Sequence, residues 1–348
     1  MSPLDLRLYA ECADVHTVGI PRALLFYRYR VMWQTFFEQL DRRVVFSEPS
    51  NRSMLEEGET LSVDECCLAS KLYMGHAAAL LRGEGVEAGA GEDAPANIRP
   101  DALFVPSIDN LKLHEAFCTK FAALPDLVAN TFANQEPRIV TCRVAKREDE
   151  IKESDAFIEL GQRFGFSKKK AKDAYREAVR AQERHDEKLH KALMSKLDAA
   201  EHAPEGERPL RLLLAAHPYV AHDPLMGGPI TDFLDNLGVC MLHASHYSHK
   251  RALEKSFEFS DTLPWVINRE IIGAALNLYN RIDGIVLVSA FPCGPDSMTN
   301  DAVLRCIKGK PILSLTVDSQ SGTAGLETRI ESFVDILHYQ KKGGYLHE

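Results

Sequence analysis

Two α/β lobes, each a parallel sheet covered by helices, joined by a helical segment: this is the fold class the sequence predicts. The chain has 348 residues, more than one hydrophobic core usually serves. Apolar runs of strand length alternate with helix-periodic stretches toward both ends, the pattern of β-α-β units and parallel sheets. Between them, from about residue 147 to 203, Lys, Glu, Arg and Ala dominate, apolar positions fall at heptad-like spacing, and no strand candidate occurs. The expected division is an N-terminal lobe over 1–146, a helical linker over 147–207 and a C-terminal lobe over 208–348.

Taken in order, HTVGIP (16–21) reads as a strand, 22–40 as a helix and RRVVFSE (42–48) as a second strand, a β-α-β start. A helix is expected over 63–82, then a Gly-, Ala-, Pro- and acid-rich flexible loop over 83–100. DALFVPSI (101–108) and PRIVTC (137–142) resume the strands. The charged middle predicts one or two long amphipathic helices, its SKKKAK run a solvated face. After residue 208 come the strands LRLLLAAHP, VCMLHAS, GIVLVSA and PILSLTVD, separated by helices. That alternation implies a parallel sheet buried on both faces.

A net charge of −9 with dispersed Lys and Arg argues against a nucleic-acid surface. No basic region followed by an apolar core opens the chain, and no run reaches the roughly 18 apolar residues of a membrane span. A cytoplasmic protein without nucleic-acid or membrane partners is expected. The eight cysteines (12, 66, 67, 118, 142, 240, 293, 306) would then meet a reducing compartment, where metal and redox roles gain weight over disulfides. No dinucleotide fingerprint, phosphate loop or nucleophile elbow occurs, and no compact ferredoxin-type cysteine run.

What the sequence does offer is thiols just past strands. Cys293 follows GIVLVSA, where open α/β sheets carry their ligands. Cys118 lies beyond DALFVPSI, and His217 closes LRLLLAAHP and precedes a proline turn. Cys66 and Cys67 are adjacent on a predicted helix, and neighbouring helical residues point about 100° apart, so one of them would face a site. His243, His246 and His249 invite a zinc reading, but their spacing does not gather them on one face as two histidines four apart on a helix would be. Packing is the plainer account of those three. For each thiol taken singly the plain account is a buried, inert side chain. Taken jointly, Cys67, Cys118 and Cys293 suit an iron-sulfur cluster, since three thiolates leave one iron open.

The segments VGIPRALLFYRYRVMWQTFFEQL, VDECCLASKLYMGHAAALL, LFVPSIDNLKLHEAFCTKFAALPDL, AHPYVAHDPLMGGPI and VSAFPCGPDSMTND, with the G-x-x-T-R further on, together resemble the acyl-CoA dehydratase activase-related proteins. These stand in the wider group of 2-hydroxyacyl-CoA dehydratase subunits, benzoyl-CoA reductase subunits and double-cubane cluster proteins. The resemblance runs over about residues 16–338. It implies two flavodoxin-like (Rossmann-like) lobes, a [4Fe-4S] or double-cubane cluster held between them, and low-potential electron transfer or reductive chemistry of the 2-hydroxyacyl-CoA dehydratase type.

By the family's motifs the ligands are Cys67, Cys118 and Cys293, with Cys66 and Cys142 as further candidates and water or a substrate oxygen as the other choice on the open iron. Lys71, His76, His217, Asp296 and Arg329 lie in the motifs as candidates for contacts behind the ligands or to substrate. Asp296 as a helix cap and Arg329 as a tie between helices are the structural readings of those two. Where the family usually has Cys-Pro-Lys, this chain has Cys118-Thr119-Lys120.

The resemblance further implies an ATP-dependent activase or other electron donor as partner, an acyl-CoA or other small-molecule substrate, and a homodimer or heterodimer. A non-catalytic cluster carrier or assembly subunit, or a cluster-free binding lobe, are the other functions this sequence admits.

Overall fold

The computed structural model describes residues 7–88, 97–147, 149–320 and 322–341. It divides into two compact units, Met1–His185 and Asp186–Glu348. Each is an α/β lobe, as the sequence predicts.

Unit 1 is built on a five-stranded sheet in the order β3-β2-β1-β4-β6. Its strands are β1 (Thr17–Ile20), β2 (Arg43–Ser47), β3 (Gly85–Glu87), β4 (Ala102–Phe104) and β6 (Ile139–Val140). All pairings are parallel except that of β3 on the edge. Counted in chain order, the parallel strands run 2-1-3-4, the flavodoxin-like arrangement. Helix α1 (Phe26–Gln39) covers one face with Tyr29, Met32, Trp33, Phe36 and Phe37 buried, a stripe at helical spacing. Trp33 and Phe37 meet Phe104 of β4 edge to face, with ring centroids 5.3 and 5.0 Å apart. The predicted helix start at 22 moves to 26 because Leu24 sits in the left-handed region, φ 52°, which no helix can run through.

The predicted strand 101–108 divides in two. Val105 N–H donates to Val140 and Ser107 N–H to Cys142, but Pro106 between them has no donor. The bonds to 138–142 run past it on alternate residues, and the strand resumes as β5 (Ser107–Asn110), which pairs with β7 (Arg143–Ala145) in a separate two-stranded sheet. Most of the predicted loop over 83–100 falls on residues 89–96, outside the described residues. A helix not foreseen, α2 (Arg52–Thr60), packs on α3 (Leu68–Arg82). Their approach is backbone to backbone. A Cβ at Gly58 would lie 2.0 Å from the Lys71 carbonyl oxygen, and one at Gly75 would lie 1.9 Å from that of Met54.

Helix α4 (Thr119–Ala122), α5 (Leu124–Thr131) and α6 (Glu153–Arg163) follow in unit 1, and the long helix α7 (Lys168–Glu201) begins there and ends in unit 2. Its first half is tied into unit 1 by Gln182, whose side-chain oxygen accepts from Met32 N–H, and by the Tyr175 hydroxyl donating to Glu153. Buried Arg163 holds the start of unit 1 to its sheet, donating to the carbonyls of Leu8, Ala10 and Thr141.

Unit 2 has a four-stranded, wholly parallel sheet in the order β11-β10-β8-β9. These strands are β8 (Arg211–Ala216), β9 (Cys240–His243), β10 (Gly284–Ala290) and β11 (Ile312–Val317). The order is again 2-1-3-4. Helices α8 (Pro218–Ala221), α9 (Gly228–Asn236), α10 (His249–Ser256), α11 (Val266–Leu278), α12 (Gly294–Cys306) and α13 (Thr323–Lys341) complete it. The four apolar runs are read correctly because strands buried on both faces are continuous in hydrophobicity rather than alternating. Helices α10 and α11 repeat the backbone contact of unit 1: a Cβ on Gly273 would lie 1.7 Å from the Ala252 carbonyl oxygen. Fully buried Arg269 donates to the Leu263 and Ser260 carbonyls and the Ser256 hydroxyl, holding the turn before α11.

Gly75→Ala is expected to destabilise unit 1 although alanine is the better helix former. A carbonyl of a packed helix cannot step aside, and overpacking of this kind costs about 1–3 kcal/mol, more than the roughly 1 kcal/mol of propensity gained. Urea unfolding followed by circular dichroism measures it, and a variant as stable as the parent would show that the two helices separate without cost.

Candidate functional site

Burial sorts the cysteines. Cys12, Cys66, Cys142 and Cys240 are buried, Cys306 is exposed, and Cys67, Cys118 and Cys293 are half-buried. Burial pushes the Cys12 thiol up to about 11 and raises those of Cys142 and Cys240, holding them as neutral thiols at physiological pH. Each of the three half-buried cysteines occupies the N-cap of a helix in extended conformation: Cys67 before α3, Cys118 before α4, Cys293 before α12. None caps with its side chain, so the sulfur is not spent on the helix's own amides.

In unit 1, Cys66 and Cys67 are not on the helix predicted for them. Cys66 closes a turn with its N–H on the Val63 carbonyl, and α3 starts at Leu68. The two sulfurs therefore differ in exposure, Cys66 turned into the core at 6%. Cys67 Sγ lies 3.2 Å from the Ser70 hydroxyl. The Lys120 ammonium, two residues past Cys118, reaches the Glu65 carbonyl, two residues before Cys67, at 3.5 Å. That contact brings the two cysteine turns together within unit 1. Lys71, one turn into α3, is half-exposed. Cys142 follows β6 and is 2% exposed.

His76 is wholly buried and bridges two hydroxyls at the end of β2, Ser47 on Nδ1 at 2.8 Å and Ser50 on Nε2 at 2.9 Å. Ser47 in turn accepts from Arg22 N–H in the turn after β1. The ring ties α3 to the carboxyl ends of β1 and β2. Burial, helped by Arg22, drives its pKa down to about 3, so the imidazole is neutral.

In unit 2 the strand order reverses between β8 and β10, and the residues just past those two strands are His217 and Cys293. Ligands of open α/β sheets sit at such a reversal. His217, Cys293 and Asp296 bring one donor atom each to within 4.8 Å of one another. His217 Nε2 lies 3.3 Å from Asp296 Oδ1 and 3.3 Å from Asn268 Oδ1, and the Tyr219 hydroxyl is 2.8 Å from Nδ1. Asn268 donates to Asp296 Oδ1 at 2.8 Å and to the Thr299 hydroxyl at 2.9 Å. Asp296 is 3% exposed, and its second oxygen, Oδ2, has no hydrogen-bond partner.

Asp296 is thus not the helix cap that the sequence admits. It stands in the first turn of α12, and its carboxylate turns inward to Asn268. Arg329 donates to the Ser314 carbonyl of β11, from an exposed position on α13. Sequence reading missed Asn268, Tyr219 and Thr299. An Asn inside the apolar run VINREIIGAAL was the available signal, because a buried amide needs partners.

Of the histidines near β9, His243 and His246 are brought together not with His249 but with His222, ring centroids 4.6–5.0 Å apart. His249 pairs with Glu270 at 3.3 Å. Burial beside two other imidazoles lowers the pKa of His243 to about 2, in keeping with a packed, neutral ring.

His76 makes unit 1 sensitive to acid. Its folded pKa lies below the unfolded value of about 6.5, so as pH falls through that value the unfolded chain takes up a proton that the folded chain refuses. Between about pH 7.5 and pH 5 this one group removes about 2 kcal/mol. In His76→Gln the loss of stability over that interval is expected to shrink by that amount, read from urea midpoints at the two pH values. An unchanged interval would mean that the ring is protonated within the fold.

Residues 17–246 match the family model described as CoA enzyme activase uncharacterised domain (DUF2229). No curated protein matches the chain. Among solved structures, a metal-free mutant of a periplasmic metal binding protein from Candidatus Liberibacter asiaticus is 12% identical, with a TM-score of 0.23, covering 91% of this chain and 99% of that one. A manganese-bound mutant of the periplasmic metal binding protein from the same organism is 12% identical with a TM-score of 0.22, covering 92% and 99%. Superpositions so poor carry no argument about this chain. The family match, spanning well over half of the residues, makes this chain a member of the CoA enzyme activase uncharacterised domain family.

Proposed function

We propose that this chain is an iron-sulfur protein in which Cys67, Cys118 and Cys293 supply thiolates to a [4Fe-4S]-type or double-cubane cluster, serving low-potential electron transfer or reductive chemistry of the 2-hydroxyacyl-CoA dehydratase type. The observation that carries this reading is the sorting of thiols. The three motif cysteines are the half-exposed ones, each at a helix N-cap with its side chain uncommitted to capping, whereas the other candidates, Cys66 and Cys142, are buried. A cluster ligand must be a deprotonated sulfur within reach of solvent-borne iron and sulfide.

Two features of unit 1 fit the same reading. The Lys120 contact with Glu65 puts the Cys67 and Cys118 turns side by side, and it keeps the lysine of the family's Cys-Pro-Lys motif in use although Thr119 replaces the proline. His76, on the helix that Cys67 begins, holds the carboxyl end of β2 through Ser47 and Ser50. When bound, the cluster would supply one-electron chemistry, and the protein's share would be to place it and tune its potential.

The family's description supports an interaction with a CoA enzyme or its substrate; our reading takes an acyl-CoA or other small molecule as substrate and an ATP-dependent activase or another electron donor as partner. We place the protein in the cytoplasm, working as a homodimer or beside a second subunit. Among the described residues no helix is long and apolar enough to cross a membrane.

Anaerobic purification followed by iron and acid-labile sulfide determination tests the proposal. About four irons with matching sulfide per chain are expected, falling to a small fraction in Cys67→Ala, Cys118→Ala and Cys293→Ala and holding in Cys306→Ala. A chain that takes up no iron even on reconstitution, or four variants that retain it equally, would overturn the assignment.

A further inference from the structure

Unit 2 contains a buried donor set that three thiolates do not account for. A ring nitrogen of His217, Cys293 Sγ and an Asp296 oxygen lie within 4.8 Å of one another. His217 and Asp296 are each 3% exposed. The Asp296 carboxylate keeps one oxygen without any donor, an arrangement that folded proteins avoid unless an ion or ordered group completes it. We propose that unit 2 binds a single divalent ion of the zinc class, ligated by His217, Cys293 and Asp296, with one position left open.

The identity of the donors selects the ion. One imidazole, one thiolate and one carboxylate suit a borderline metal, whereas magnesium and calcium take oxygen ligands. Three protein ligands with a fourth position free is the pattern of reactive rather than structural zinc sites. The spacing agrees. A nitrogen and an oxygen, each about 2.0–2.1 Å from one tetrahedral ion, stand about 3.3 Å apart; His217 Nε2 is 3.3 Å from Oδ1 of this carboxylate, which Asn268 holds, and Oδ2 is the oxygen left for the ion. Cys293, at the N-cap, and Asp296, three residues on, lie on the same side of the first turn.

The surroundings also fit. A ligating histidine needs its other nitrogen held, and the Tyr219 hydroxyl stands 2.8 Å from Nδ1 to accept that proton. Metal-bound carboxylates are in turn hydrogen-bonded, and Asn268 donates to Asp296 Oδ1 at 2.8 Å. His217 and Cys293 follow β8 and β10, the strands between which the sheet order reverses. The open position would take water or an oxygen or sulfur donor of a small ligand. The site needs neither Cys67 nor Cys118 but shares Cys293 with the proposed cluster, so the ion and the cluster are alternative occupants of that thiolate. In the cluster-free chain Cys293 serves this ion.

The full chain, stripped with a chelator under reducing conditions, is loaded with zinc alone, desalted and assayed for metal, and its affinity is measured against a chromophoric chelator. Cobalt(II) is loaded in parallel for its thiolate charge-transfer absorption. One zinc per chain is expected. Cys293→Ser, Asp296→Asn and His217→Gln should each bind at least about tenfold more weakly, the lower bound for disturbing even an outer partner, and the cobalt band should vanish in Cys293→Ser and persist in Cys306→Ala. If Asp296→Asn or His217→Gln melts out, Cys293→Ser decides, because that side chain is half-exposed and caps no amide. No zinc in the parent chain, or zinc and the band unchanged in Cys293→Ser, would overturn the site. Neither result bears on the iron and sulfide determination, which also depends on Cys67 and Cys118.

Discussion

A parallel sheet delivers the carboxyl ends of all its strands to one edge, and both units of this chain accept that constraint in the same form. Each places its first strand in the middle, sends the second to one side and the third to the other. The loops after the first and third strands then leave in opposite directions and open a crevice between them. In unit 2 those loops carry His217 and Cys293. In unit 1 the third parallel strand, β4, continues through β5 toward Cys118. Both cysteines thus follow the third parallel strand of their unit in chain order, Cys293 directly and Cys118 only after β5, and their local sequences, FCTK and PCGP, share little beyond the thiol.

Holding such loops still falls to buried polar groups rather than to the hydrophobic cores. His76 bridges two hydroxyls at the strand ends of unit 1. Arg163 and Arg269 gather backbone carbonyls from irregular segments that have no ladder to satisfy them. Such groups add little net stability, since desolvation offsets much of what their bonds return. Their effect is positional: removing one strands several partners at once, so the loop has a single satisfied conformation. The close helix pairs act alike on a larger scale, with Gly58 against α3, Gly75 against α2 and Gly273 against α10 fixing the depth at which the helices sit.

Much of this architecture was legible in the sequence, and the departures have identifiable causes. The strands of unit 2 announce themselves as unbroken apolar runs. The strand 101–108 reads the same way, but its second half leaves the main sheet after Pro106 to pair with β7, a change of partner invisible to hydropathy. Helix α2, with three charged Glu among nine residues, lacks the apolar surplus that marks a core helix, since its contact runs through Gly58. Cys67 was read as helical because the apolar pattern of α3 continues upstream of the turn that Cys66 closes. At the site Cys118, Cys293 and His217 were legible from their places after strands. Asn268 and Tyr219 were not, because their importance lies in what they touch across 51 and 2 residues of sequence.

Burial ultimately separates chemistry from packing here. A thiol in the core loses water, and for Cys12, Cys142 and Cys240 that loss outweighs the nearby cations that favour the anion, so their pKa values are raised. Asp296 is a buried group of another kind. It is as buried as those thiols, yet the chain has built one good donor toward Oδ1 and none toward Oδ2. Isolated hydrophobic packing would have replaced such a carboxylate at little cost. Its place beside an imidazole and a half-exposed sulfur, where the sheet order reverses, is the geometry on which the proposed cation site rests.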